Sequence, residues 1–279
     1  MQKIRKIVIP AAGLGSRFYP LTKAQPKEML PIIDKPVIHY VVEEAIKAGI
    51  NQILIIVGKG KEALINYFDS HELDSLDTEG KNRFPEIFFV RQKKPVGLGD
   101  AIRYAQKFVG NEPFLVLLGD TIYQSSSDMN VAQQLLSAFE KTGSPIIALE
   151  KVKKEKTKDY GIISGENLGG RLWLIKKLVE KPEPKDAPSD LAITGAYILP
   201  PEIFGYLEKI KPGKNNEYQL TDALELLARE NKLLGYEFDG TRYDIGTKEL
   251  WIRAFIEFID KDPRFEKILL ETIEKHNKH

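Results

Sequence analysis

The chain has 279 residues, 41 basic and 40 acidic side chains, and a formal net charge of +1 at pH 7. This balance gives no electrostatic reason to expect nucleic acid or an acidic membrane as a partner. The sequence contains no cysteine, which excludes disulfides, thiolate nucleophiles and cysteine metal sites. It shows neither a cleavable leader nor an apolar run of the roughly 18 residues that span a bilayer, so we expect a soluble, cytoplasmic protein.

The first 150 residues alternate predicted strands with predicted helices. The predicted strands are residues 4–9, 53–57, 86–90, 113–118 and 145–149. The predicted helices are residues 36–48, 61–68, 99–108 and 129–141, with a polar loop over residues 69–83. Strands that alternate with helices in this way indicate a parallel sheet covered on both faces.

The pattern changes in the second half. Residues 151–158 form a charged run that is most simply a solvated loop. Residues 161–179 read as a hairpin with its turn at 167–170, followed by a proline-rich loop over 181–188 and a strand over 191–199. Two helices near 201–209 and 218–230 and a strand near 233–238 complete this part. The sequence therefore predicts an α/β fold: a Rossmann-like, mixed and mainly parallel sheet flanked by helices, with an antiparallel addition.

The C-terminal stretch carries apolar residues at helical spacing on both sides of Pro263, which predicts two amphipathic helices. The simpler interpretation is that these helices pack on the chain's own body. The alternative is a contact between subunits, and we expect the protein to form a homo-oligomer, a dimer or a tetramer.

The most informative stretch follows the first predicted strand. Gly13 and Gly15 lack Cβ atoms, so the backbone can approach a flat or charged ligand and expose its N–H groups. Arg17 follows at once, and Lys23 and Lys27 come within the next ten residues. A strand, a glycine loop and then cations is an arrangement suited to a nucleoside triphosphate.

Two well-known phosphate-binding motifs are absent from this stretch. The dinucleotide fingerprint would need glycine where Phe18 stands, and Pro20 opposes a helix directly after the loop. No G-x-x-x-x-G-K-[ST] loop is present either. On the local pattern alone, a plain strand-to-turn junction with surface cations stays open.

Carboxylates mark two further positions. Asp120 directly follows a predicted strand, where a carboxylate is a suitable ligand for Mg²⁺, and Asp244 lies in an Arg-Tyr-Asp-Ile-Gly-Thr segment. In open parallel sheets ligands bind beyond the carboxyl ends of the strands, so we expect the 13–17 loop, residues 97–99 and residues 119–120 to converge. The alternatives are a turn residue for Asp120 and the N-cap of a helix near residue 247 for Asp244.

Glu180 and Lys181 end a predicted strand just before a proline. Lysine offers a point charge to a sugar phosphate, and glutamate accepts hydrogen bonds from sugar hydroxyls. A charged pair before a proline also marks an ordinary chain exit, so this interpretation stays open as well.

Residues 11–31, which read A-A-G-L-G-S-R…K-x-x-P-K-E-M-L-P, resemble the signature of the sugar-phosphate nucleotidylyltransferases. The Lys-Glu-Met-Leu-Pro form is most similar to the branch that transfers a uridylyl group to glucose 1-phosphate. The resemblance runs from residue 7 to about residue 259. It implies a fold of the nucleotide-diphospho-sugar transferase type, Mg²⁺ as cofactor, and UTP and glucose 1-phosphate as substrates. We expect one domain over residues 1–279, with a nucleotide-binding half at 1–150, a sugar-phosphate-binding half at 151–247 and C-terminal helices at 248–279.

The resemblance also implies roles for individual residues. The nucleotide base would meet the backbone of Ala11, Ala12 and Gly13, with its edges read by Gln92 and Gly97. The triphosphate would be held by Arg17 and Lys27, and Mg²⁺ by Asp120 and Asp244. The hexose would be surrounded by Gly161, Glu180 and Gly195, and its phosphate contacted by Lys181.

Two segments depart from this branch. Residues 118–120 and 244–247 look more like the relatives that transfer a thymidylyl group from dTTP, so the choice of nucleotide stays open. A non-catalytic nucleotide-sugar sensor is a more distant alternative. A sensor could have lost the metal carboxylates or the triphosphate cations, whereas Arg17, Lys27, Asp120 and Asp244 are all present.

Overall fold

A computed structural model describes residues 3–69, 85–213, 216–230 and 232–276. The polar loop predicted over residues 69–83 lies outside the described residues apart from Asp69, which ends a helix.

Secondary structure covers most of the described chain. The strands are β1 (Lys6–Ala11), β2 (Pro31–Ile32), β3 (Lys35–Pro36), β4 (Gln52–Val57), β5 (Glu86–Arg91), β6 (Phe114–Leu117), β7 (Thr121–Ser125), β8 (Ile146–Lys151), β9 (Gly161–Gly169), β10 (Leu172–Glu180), β11 (Leu191–Leu199), β12 (Leu234–Glu237) and β13 (Gly240–Asp244). The helices are α1 (Val37–Lys47), α2 (Glu62–Asp69), α3 (Leu98–Arg103), α4 (Gln106–Val109), α5 (Val131–Thr142), α6 (Ile203–Lys209), α7 (Leu220–Ala228), α8 (Lys248–Asp260) and α9 (Glu266–His276).

One mixed sheet organises the molecule, in the strand order β5-β4-β1-β6-β11-β8-β12-β10-β9. Strands β5, β4, β1 and β6 run parallel, as do β8 and β12. Strand β11 runs antiparallel to both β6 and β8. The α/β fold predicted from the sequence is confirmed, and β11 builds the antiparallel part into the centre of the sheet.

The core forms on both faces of this sheet because side chains alternate along each strand. In β1, Ile7 and Ile9 join the cluster that contains residues of α1 and α5. Val8 joins the opposite cluster, which contains residues of α3, α6 and α7. Every residue of β11 is buried, as a near-continuous apolar run requires.

The structure corrects several local predictions. The helix predicted over residues 99–108 is two short helices, α3 and α4. The first strand begins at Lys6, two residues later than predicted. A 3-10 helix, Lys154–Asp159, occupies part of the charged run. Strands β7 and β13, which pair as a separate antiparallel ribbon, were not predicted.

The C-terminal helices pack through one face of α8. Trp251, Phe255 and Phe258 contact a small core cluster that includes Phe18 and Tyr243. Ile252 and Ile256 of α8 and Ile268, Leu270 and Ile273 of α9 are exposed. Among the described helices, none is long and apolar enough to cross a membrane.

Helices α1 and α5 meet through a buried carboxyl group. Glu44 Oε1 accepts the backbone N–H of Ala132 at 2.8 Å, and Asn130 Nδ2 donates to Glu44 O at 2.9 Å. Burial raises the pKa of Glu44 to about 7, although hydrogen bonds from the backbone of α5 oppose the shift. The folded chain therefore keeps a proton on Glu44 at pH values at which the unfolded chain has lost it.

We expect the Glu44→Gln variant to be more stable than the parent at pH 8 by about 1–2 kcal/mol, because glutamine still accepts a hydrogen bond without burying a charge. A raised pKa stabilises the fold below the unfolded value of 4.5, and this contribution is lost as the pH rises to about 7. Urea unfolding between pH 4 and pH 8 measures the difference, which should vanish at the acidic end.

The neighbouring Glu43 provides a control of opposite sign. Burial opposes ionisation of Glu43, yet hydrogen bonds with His39 and Lys35 lower its pKa to about 2. Glu43→Gln should therefore lose stability at pH 8. Equal responses of the two variants would contradict the assignment of Glu44 as a buried carboxyl group with a raised pKa.

Candidate active site

The carboxyl ends of the parallel strands bring distant segments to one edge of the sheet. Gly119, which follows β6, donates its N–H to Pro10 O of β1 at 3.1 Å. Gln92, which follows β5, donates its backbone N–H to Val57 O at the end of β4 at 2.9 Å. The edge to which we expected the motifs to converge is therefore continuous, and we call it the carboxyl edge.

The glycine loop turns back over Lys27. Gly15 has a φ of 64°, a value that favours glycine, and its carbonyl oxygen accepts the Thr22 hydroxyl at 2.7 Å. A Cβ on Gly13 would lie 3.8 Å from Lys27 Cε. Short 3-10 turns at 16–18, 21–23 and 27–29 replace a helix and carry Arg17 and Lys27. The Lys27 side chain thus lies beside the backbone of the glycine loop.

The unpredicted ribbon of β7 and β13 carries the second carboxylate to this edge. Asp244 lies opposite Thr121 in the ribbon, and Ile245 N donates to Asp120 O at 2.9 Å. The N-cap of α8 is Thr247, whose hydroxyl accepts the N–H of Leu250 at 3.3 Å. The alternative interpretation of Asp244 as that N-cap is therefore wrong.

Nearby charges act on both carboxylates, Asp120 and Asp244. Burial raises the pKa of Asp244, and the nearby charge of Asp120 raises it further, whereas Arg242, Lys27 and Arg17 oppose the shift. Lys27 forms an ion pair with Asp120. Burial by itself would lower the pKa of Lys27, but Asp120 and Glu28 more than offset this, so its pKa is raised and it stays charged.

Two neighbouring carboxylates fit a hard divalent cation. The described residues contain no group of three or more His, Asp or Glu side chains arranged to hold a metal. Mg²⁺ usually takes one or two carboxylates together with substrate phosphates and water. Asp120 and Asp244 suit this mode because a cation between them would relieve the repulsion that raises the pKa of Asp244.

Arg17 lies on the open side of this cluster. A Cβ on Gly246 would be 2.8 Å from Asp244 Oδ1 and 3.8 Å from Arg17 Nη1, so both side chains border the same glycine. The Arg17 side chain is exposed. It can therefore meet an incoming anion without first leaving a buried ion pair.

Arg242 is a residue of this site that the sequence analysis did not single out. Its Nε donates to Glu150 Oε1 at 2.8 Å, and its Nη1 lies 3.7 Å from Asp244 Oδ2. Its guanidinium lies over the Tyr160 ring, 4.4 Å from the centroid. Only 7% of the Arg242 side chain is exposed. Arg242 thus connects a carboxylate of the site to the segment that precedes Gly161.

We expect Arg242→Met to lower the free energy of unfolding by about 2 kcal/mol, because Glu150 would lose its charged partner in a mostly buried position. Chemical denaturation at pH 7 measures the change. The double variant Arg242→Met/Glu150→Leu should recover most of it, since the Glu150 carboxylate that was hydrogen-bonded to Arg242 is removed as well. Equal or greater loss in the double variant would contradict this account.

Two of the three predicted hexose residues, Gly161 and Glu180, lie together in a second group. A Cβ on Gly161 would lie 3.3 Å from Glu180 Oε2 and 3.4 Å from Thr221 Oγ1. Thr221 donates its hydroxyl to Glu180 Oε2 at 2.5 Å. Gly195 has a φ of 92°, and its carbonyl oxygen accepts the Leu118 N–H at 3.0 Å. Thr221 had no assigned role in the sequence analysis.

Lys181 is held beside this group. Its φ of 47° is unusual for lysine, and its backbone N–H donates to Tyr160 O at 3.0 Å. Its ammonium group lies 3.3 Å from Glu180 Oε1. Lys181 is connected to the carboxylates through Tyr160 and Arg242, not by direct contact.

Gln92 and Gly97, the predicted base-reading residues, lie in the segment between β5 and α3. Gln92 is 4% exposed, and its Nε2 donates to Asp100 Oδ2 at 2.7 Å. Gly97 has a φ of 114°, and a Cβ there would lie 2.7 Å from Tyr218 N. Glycine is therefore required at 97 on both counts.

Comparison with known proteins decides the family. Residues 6–261 match the family described as "Nucleotidyl transferase". The chain belongs to the nucleotidyl transferase family. The match spans both the glycine loop and the ribbon, so the whole carboxyl edge lies within the family region.

Individual relatives of this nucleotidyl transferase cover nearly its full length. A UTP–glucose-1-phosphate uridylyltransferase of Staphylococcus haemolyticus is 47% identical, over 99% of this chain and 99% of the relative. A crystal structure of UDP-glucose pyrophosphorylase complexed with UDP-glucose has a TM-score of 0.88 at 44% identity, covering 93% of this chain and 100% of the other. A UTP-bound UGPase of Acinetobacter baumannii has a TM-score of 0.85 at 31% identity, covering 97% of this chain and 98% of the other.

Proposed function

We propose that this protein transfers the uridylyl group of UTP to glucose 1-phosphate, forming UDP-glucose and releasing pyrophosphate. The observation that carries this proposal is the grouping of Lys27, Asp120, Asp244 and Arg17 at the carboxyl edge of a nucleotidyl transferase. The names of the relatives support the choice of UTP and glucose 1-phosphate. We further propose that residues 1–279 form a single domain. Its parts are a nucleotide-binding half at 1–150, a sugar-phosphate-binding half at 151–247 and C-terminal helices at 248–279.

The reaction needs alignment and charge neutralisation more than proton transfer. The attacking phosphate oxygen of glucose 1-phosphate is already largely ionised at neutral pH, by analogy with a phosphate ester whose second pKa is about 6. It forms a bond to the α-phosphorus of UTP, and the bond from that phosphorus to the β-phosphate oxygen breaks, so pyrophosphate leaves. No catalytic base or covalent nucleophile is required.

In this proposal the two cations serve the triphosphate. Lys27 is held in its charged form by Asp120, and Arg17 lies exposed at the mouth of the site. Both offset negative charge as the pyrophosphate separates. Mg²⁺ held by Asp120 and Asp244 would neutralise phosphate charge when bound. The backbone of residues 11–13 and the polar groups of Gln92 and Gly97 face the base.

The sugar half receives the second substrate. Glu180 has two carboxylate oxygens, of which one already accepts the Thr221 hydroxyl and the other lies near Lys181. We propose that Glu180, Gly161 and Gly195 line the hexose site and that Lys181 holds the phosphate group of the sugar. Lysine suits this task because its ammonium is a compact charge on a flexible stem.

Pyrophosphate release from glucose 1-phosphate and Mg²⁺, measured in parallel with UTP, dTTP, CTP, ATP and GTP, tests the function. We expect the highest kcat/KM with UTP. A preference for dTTP would replace the uridylyl assignment with the thymidylyl one. Binding of UTP without release of pyrophosphate would contradict catalysis and favour a sensor.

Assembly and location stay predictions. The apolar side chains exposed on α8 and α9 support a homo-oligomer, either a dimer or a tetramer. A cytoplasmic location is consistent with the lack of a membrane-spanning helix among the described residues.

A further inference from the structure

The orientation of the Gln92 amide is fixed by its neighbours. One end of its side-chain amide group lies 2.7 Å from Asp100 Oδ2 and 3.4 Å from the carbonyl oxygen of Gly97. A carboxylate and a carbonyl oxygen can only accept hydrogen bonds. The end that faces them must therefore be the NH₂ group, which settles an assignment that often has to be inferred from the network.

The other end of the amide is left without a donor. Among the described residues, no hydrogen bond is made to Gln92 Oε1, although the residue is 4% exposed. Within the described residues, two side-chain polar atoms are fully enclosed and have no hydrogen-bond partner. They are Arg103 Nε and Glu112 Oε2. Gln92 Oε1 is not one of them, so this acceptor is not fully enclosed and a bound molecule can reach it.

The segment that carries this pair is held at both ends. Lys93 N donates to the Tyr104 hydroxyl at 3.2 Å. Tyr218 N donates to Val96 O at 2.8 Å, and Gly99 N donates to Tyr218 O at 2.8 Å. Asp100 follows directly in α3, so its carboxylate is presented to Gln92 by a braced backbone.

An acceptor at this place distinguishes pyrimidines by chemistry. Uracil and thymine carry a hydrogen on N3, between two carbonyl oxygens, and can donate it to Oε1. Cytosine has a lone pair on N3 and would place two acceptors against each other. Sites built to hydrogen-bond one pattern reject the other because a buried polar group would be left unpaired.

We propose that Asp100 is a specificity-determining positioning residue, which locks Gln92 with its oxygen towards the base so that UTP is accepted and CTP is rejected. The inference rests on the proposed function and deepens it. Asp100 does not touch the substrate; it acts through the Gln92 amide. Because uracil and thymine share the N3 hydrogen, Asp100 should have no influence on the choice between UTP and dTTP.

The Asp100→Asn variant tests whether Asp100 fixes the orientation of the Gln92 amide, because asparagine has almost the same side-chain shape as aspartate. Asparagine can accept from Gln92 Nε2 or donate to Gln92 Oε1, so both amide orientations become available. We expect the ratio of kcat/KM for UTP to that for CTP to fall by about tenfold, while the ratio for UTP to dTTP stays unchanged. Asp128→Asn makes the same chemical change at an exposed position and should alter neither ratio.

A double variant that exchanges the carboxylate and the amide between positions 92 and 100 provides a second test. In Asp100→Asn/Gln92→Glu, the carboxylate at 92 can only accept and the amide at 100 can donate to it, so an acceptor again faces the base. We expect the preference for UTP over CTP to return. The proposal is overturned if Asp100→Asn lowers UTP and CTP turnover in parallel, or if the double variant retains the loss. Absence of turnover in the parent chain would instead refute the proposed function.

Discussion

Replacing Asp120 with asparagine is expected to lower kcat for pyrophosphate release by about a thousandfold while the fold is retained. Asparagine keeps the shape of the side chain and removes its negative charge. That charge pairs with Lys27 and acts on Asp244. The variant would therefore bind a divalent cation poorly and would also release Lys27 from its position.

Release of pyrophosphate at saturating UTP and glucose 1-phosphate, followed across a titration of MgCl₂, measures this effect. Asp128→Asn is the matched control, because it removes an exposed carboxylate beyond the end of β7. A rate for Asp120→Asn within about tenfold of the parent rate would contradict the assigned role. Circular dichroism of both variants checks that each one is folded.

The second large effect is expected from Lys181→Ala. We expect kcat/KM for glucose 1-phosphate to fall roughly a hundredfold, which corresponds to about 3 kcal/mol, the scale of losing one preorganised group. The dissociation constant for UTP should stay the same, because Lys181 lies with Glu180 on the sugar side. Initial rates and calorimetry separate the two quantities.

Lys185→Ala provides the control within the same loop. Lys185 is exposed, so the variant removes an equal charge without touching the proposed sugar site. Unchanged turnover in Lys181→Ala would refute the role of Lys181. A parallel loss in both variants would point to a general electrostatic attraction of the sugar phosphate.

The sequence predicted best those elements whose local pattern is strong. Strand β11 was predicted with its observed bounds because its residues form a near-continuous apolar run, which only a doubly covered strand accommodates. The glycine loop was placed correctly for a similar reason. Gly13 and Gly15 follow a buried strand, and the structure confirms the turn.

The ribbon that was missed depends on pairing between segments that are far apart in sequence. Strands β7 and β13 read Thr-Ile-Tyr-Gln-Ser and Gly-Thr-Arg-Tyr-Asp, and they lack a clear alternation of apolar and polar residues. Each is defined by its pairing with the other, more than a hundred residues away. Their pairing brings Asp244 beside Asp120, so the nearness of the two carboxylates could be expected only from the family resemblance.

The supporting residues of the site were harder still to predict. Arg242 stands two residues before Asp244, but its partner Glu150 is 92 positions away in sequence. Gln92 follows β5 and Asp100 lies in α3, eight positions later, yet their side chains meet. Such contacts follow from tertiary packing, which periodicity and spacing do not encode.

A double-mutant cycle on Asp120 and Asp244 tests most directly that both carboxylates act on one divalent cation. The quantity to measure is kcat/KM for UTP with saturating glucose 1-phosphate and Mg²⁺, for Asp120→Asn, Asp244→Asn and the double variant. Residues that act as a unit are strongly non-additive, so we predict that the double variant is about as slow as the slower single variant. If the two losses multiply in full, the carboxylates act independently and the shared cation site is contradicted.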